Sequence, residues 1–99
     1  LLRQAHQKLD AGHPREAIAL ARPLTATTGT ARTAWTLIGT AACHLRDTAQ
    51  IQEAYMKADL AGARHMLQVC AQRGVVFEGS RFRAGPLPQR PPVNLPDDD

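Results

Sequence analysis

Cys43 and His44 stand next to each other in TARTAWTLIGTAACHLRD, residues 30–47, and a thiol beside an imidazole is a pair that acyl transfer uses. Neighbours on a helix point about 100° apart, so the two side chains diverge unless the rest of the fold brings them back. Cysteine is among the most buried residue types and replaces alanine readily where helices pack closely. Cys43 is therefore expected to be a small packing residue, and Cys70 likewise. Two cysteines so far apart in sequence suggest neither a disulfide framework nor a zinc pattern, so a reducing, cytoplasmic setting is expected.

The four histidines, His6, His13, His44 and His65, lack the i,i+4 spacing of a helical metal pair, and no metal is expected. Glycine-rich phosphate loops, paired acid/base carboxylates and Ser-His-Asp arrangements are missing too. No enzyme active site and no cofactor are expected within these residues. Trp35 could stack a ligand, yet its helical spacing from Ile38, Ala42 and Leu45 places it on an inward stripe. Gly39 sits mid-helix at a cost of ~1 kcal/mol relative to alanine, which close helix approach would justify.

Helices must position these residues. Leu1, Leu2, Ala5 and Leu9 recur at helical spacing and stop at Gly12. Pro14 is preset for the first position of a second helix carrying Ala17, Ile18, Ala21 and Leu24. The threonines and Gly29 of LTATTGT interrupt the helix, and a third runs over about residues 32–45. Asp47 with Gln50 resembles a capping box opening a fourth, with Ile51, Ala54, Tyr55 and Ala58 inward. Asp59 caps a fifth, with Leu60, Ala63, Leu67 and Cys70 inward and Gly74 as its stop. VVFEGSRF is expected to be a short extended segment laid against the helices.

The 99 residues suit one small all-α domain over 1–83, followed by a flexible, proline-rich tail over 84–99. The body holds eleven Lys/Arg against six Asp/Glu, a net +5, while the tail holds Arg90 against Asp97, Asp98 and Asp99, a net −2. A mildly basic body favours acidic partners, and a basic adaptor contacting nucleic acid is the alternative reading, although its basic residues are scattered. No apolar run approaches the ~20 residues of a membrane span. The chain opens at Leu1 without a methionine, so a fragment of a longer protein is expected.

Shifting the chain by 34 residues aligns Leu1 with Trp35, Ala5 with Gly39, Ala17 with Ile51 and Ala21 with Tyr55, the period of a helical solenoid. The W-x2-I-G-x2-A of Trp35, Ile38, Gly39 and Ala42, with the G-x3-EA of Gly12, Glu16 and Ala17, resembles the tetratricopeptide repeat (TPR). The resemblance covers about two repeats and a capping helix over residues 60–73. It implies antiparallel helical hairpins stacked as a short solenoid, binding a protein or peptide on the concave face of the first helices. The matching positions are Leu2, His6, Leu9, Thr36, Thr40 and Cys43. A docked tail, with Leu87, Val93 and Leu95 in that groove, is another possible occupant. AWTLIGTAACHLRD and the later R-x2-LQ-V-C-x3-GV also resemble C-terminal helical segments of bacterial, especially myxobacterial, serine/threonine protein kinases. That likeness implies a scaffold role in signalling.

Overall fold

The computed structural model describes residues 2–85. Five α-helices follow one another: α1 (Leu2–Asp10), α2 (Pro14–Ala21), α3 (Ala31–Leu45), α4 (Thr48–Lys57) and α5 (Leu60–Gln72). A 3-10 turn over Arg22–Ala26 prolongs α2, and a two-stranded antiparallel hairpin, β1 (Val75–Glu78) and β2 (Arg81–Ala84), closes the described chain. The protein is thus mostly helical, and the segment expected to be extended is a true hairpin.

Local chemistry sets the helix ends. Gly12, at φ 86°, turns the chain between α1 and α2, and Pro14 opens α2 where a missing N–H costs nothing. Arg46 adopts φ 57° between α3 and α4, and the Asp47 N–H reaches back to the Ala42 carbonyl at 3.1 Å, satisfying an end-of-helix acceptor. The Asp47 carboxylate then accepts from the Gln50 side-chain amide at 2.8 Å and from its backbone N–H at 3.3 Å. Asp59 accepts from the Gly62 N–H at 2.8 Å and caps α5 in the same way.

The Gln50 side chain, then the backbone N–H groups of Gln50 and Ala49, hold the Asp47 carboxyl below its ordinary range. A depressed carboxyl contributes stability above its unfolded value, and this is lost as pH falls through the folded value. Asp47→Ala is expected to cost about 1 kcal/mol at pH 7. The difference from wild type should close as the pH of a urea titration is taken below about 4. A gap that persists undiminished in acid would mean that the charge contributes nothing.

Helix α3 lies at the centre, packed on α2, α4 and α5. Ala34, Leu37, Ile38, Ala41 and Ala42 are buried on it, a far wider arc than one stripe. Trp35 is only half-buried, with the Arg22 guanidinium 5.9 Å and the Lys57 ammonium 5.7 Å from its ring centre. The hairpin docks on α4 through Tyr55, Phe77 and Phe82, whose ring centres lie 4.9–5.1 Å apart. Gln52 fixes its register, donating to the Ser80 carbonyl at 3.1 Å and accepting from the Phe82 N–H at 3.3 Å.

Three expectations are corrected. Leu60, expected inward, is 68% exposed, because the face of α5 that meets α3 carries Gly62, Met66 and Cys70 instead. The tail does not begin at residue 84: Ala84 completes β2 and the Gly85 N–H bonds the Gly74 carbonyl at 2.8 Å. Cys43 and Cys70, expected as separate thiols, form a disulfide with Cα atoms 4.7 Å apart. Their sequence separation concealed it, since only the side-by-side packing of α3 and α5 brings the two together. The proposed docking of Leu87, Val93 and Leu95 lies outside the described residues.

Candidate functional site

Three pairs run along the α3–α5 seam. A Cβ at Gly62 would collide with the Thr36 hydroxyl, and one at Gly39 would collide with the Met66 thioether, so each glycine admits the facing side chain. The Cys43 and Cys70 sulfurs form the third pair. Numbers rise together on both helices, so α3 and α5 lie side by side and parallel.

This pairing makes one wall of a groove of about 720 Å³ whose lining comes from α1, α3 and α5, with the turn at Gly12 and Pro14. From α1 come His6, Leu9 and Asp10; from α3, Thr33, Thr36, Leu37, Thr40 and His44; from α5, His65, with Arg73 just past its end. Three of the four histidines thus meet in one depression with a single carboxylate, that of Asp10, among its walls. Burial, and secondarily the Arg73 charge, push the His44 imidazole below its ordinary value and favour the neutral ring.

The expected concave-face residues are thereby sorted. His6, Leu9, Thr36 and Thr40 do share the groove. Leu2 is half-buried on α1 and is not among the lining residues. Cys43 is fully buried and bonded to Cys70, so it is part of the seam behind the groove and presents nothing to a ligand. The threonine hydroxyls turn back into their own helix: Thr36 Oγ1 donates to the Arg32 carbonyl at 3.1 Å and Thr40 Oγ1 to the Thr36 carbonyl at 2.8 Å. Thr40 is also buried, which makes it floor rather than clamp.

Sequence reasoning missed His44, His65 and Arg73 as groove residues. Their spacing carries no signal, because it is the parallel crossing of α5 over α3 that collects them. Among the described residues no cluster of three or more His, Cys, Asp or Glu side chains is arranged to hold a metal ion. No described helix is long and apolar enough to cross a membrane. No protein-family model, curated protein or solved structure matches the chain.

Proposed function

We propose that the chain is a TPR-like protein–protein interaction module, a short stack of helical hairpins within a larger bacterial signalling protein, and that it holds an extended partner segment in the groove. The observation that carries this reading is the lining itself. Apart from Gly12 and Pro14 at the corner between α1 and α2 and Arg73 just past the end of α5, alternate helices α1, α3 and α5 supply it, as the concave side of a stacked-hairpin array requires.

The repeat spacing supports the same reading in three dimensions. Gly12 and Arg46, 34 residues apart in the numbering, are both left-handed turn residues at the corner of a hairpin. Ala17 and Ile51, related by the same shift, are both fully buried. The groove's chemistry is suited to peptides: imidazoles and a guanidinium at its sides, Leu9 and Leu37 as apolar lining.

Site-specific photo-crosslinking in cells that make the full-length protein tests the proposal. A benzophenone amino acid at Thr33, in the groove, is expected to yield a discrete cross-linked partner band. The same group at Ala19, exposed on α2, should yield none. His6→Glu/His65→Glu, both at exposed positions, should reduce the Thr33 band at least several-fold with the fold intact. Identical bands from both sites would refute the groove assignment.

A further inference from the structure

The disulfide bonds α3 directly to α5, the helix that brings His65 and Arg73 to the groove, and both sulfurs are fully buried. We infer that the disulfide between Cys43 and Cys70 is a redox latch that sets the position of the α5 wall of the groove. The inference adds regulation to the proposed binding site and takes its functional meaning from that reading.

In the reaction, a dithiol reductant gives two electrons and two protons; the Sγ–Sγ bond breaks, both cysteines become thiols, and the reductant closes to its own disulfide. Bonded sulfurs sit about 2.05 Å apart, whereas non-bonded heavy atoms rest at about 3.5–4 Å. The reduced seam must therefore open by roughly 1.5 Å at this pair or turn one side chain away. The seam has little slack to absorb this quietly, since Met66 already fills the notch at Gly39 and Thr36 the notch at Gly62. Displacement therefore passes to α5 as a body.

Two features make the reduced state a folded one. Cys43 Sγ lies 3.5 Å from the Met66 carbonyl, so the thiol formed there has an acceptor ready. Helix α5 is also an edge helix, its outer face of Leu60, Ala61, Arg64, Gln68 and Ala71 all exposed. Local opening of α5 can deliver the bond to a reductant while α1, α2 and α3 stay packed.

The test compares backbone amide spectra and hydrogen exchange of the full chain when oxidised, reduced with dithiothreitol, and as Cys43→Ala/Cys70→Ala. Reduction is expected to speed exchange across residues 62–72 by about tenfold or more, and to shift the amides of Thr36, Thr40, His44 and Val75. Those of α1 and α2 should stay in place, and oxidised glutathione should restore the first spectrum. Changes confined to the immediate neighbours of the two cysteines would show a mere staple and overturn the latch. So would unfolding of all five helices together on reduction, or in the alanine variant. Because these readouts follow α5 whether or not a partner binds, a failed cross-linking experiment and a failed latch are separate results.

Discussion

Replacing both Cys43 and Cys70 by alanine is expected to lower the free energy of unfolding by about 3–4 kcal/mol relative to the oxidised protein. The bridge spans 27 positions in sequence, and closing a loop of that length removes denatured-state entropy between the roughly 3 kcal/mol of a 15-residue loop and the roughly 4.7 of a 100-residue one. At a urea slope near 1–1.5 kcal/mol/M, that corresponds to a midpoint about 2–4 M lower. The magnitude also bears on the latch. A domain of this size has about 4–13 kcal/mol of total stability, so losing the bridge leaves a folded but thinner margin over most of that range. A midpoint shift below about 0.5 M would mean that the two sulfurs are not bonded in the purified protein.

Which features were legible in the sequence follows from the range over which each is decided. Gly12, Pro14, Asp47 with Gln50, Asp59 and Gly74 act on their own few residues, and the helix ends fall beside them. Only the extended character of VVFEGSRF was read, not its pairing, although the signal is as local: Gly79, at φ 65°, begins a two-residue turn where a side chain would be strained. The inward face of α5 was misread because apolar side chains alone were used to find it. Its true seam, Gly62, Met66 and Cys70 at intervals of four, contains a glycine that no hydrophobicity pattern marks as buried. Once that face is known, the disulfide and the contributions of His65 and Arg73 to the groove follow together, since all depend on where α5 crosses α3. Leu60, left outside the seam, should accept Leu60→Ala at a cost under about 0.5 kcal/mol.

Gly39→Leu is expected to destabilise the seam by about 2–3 kcal/mol after the gain in helix propensity of up to ~1 kcal/mol. The new side chain would occupy the space of Met66, with Ala54 Cβ only 3.1 Å from the first added carbon, so neither α4 nor α5 can stay where it is. Met66→Ala alone should cost a comparable ~2–4 kcal/mol by emptying the same space from the other side. Overpacking and a cavity at one place offset each other, so the two substitutions cannot be additive. The double variant should be more stable than the sum of the single effects by at least about 1.5 kcal/mol, read from urea midpoints in a double-mutant cycle. A coupling near zero would show that Gly39 and Met66 do not share a cavity and that α5 crosses α3 elsewhere. That result would remove the registration behind the Cys43 and Cys70 pairing, and with it the α5 wall of the groove.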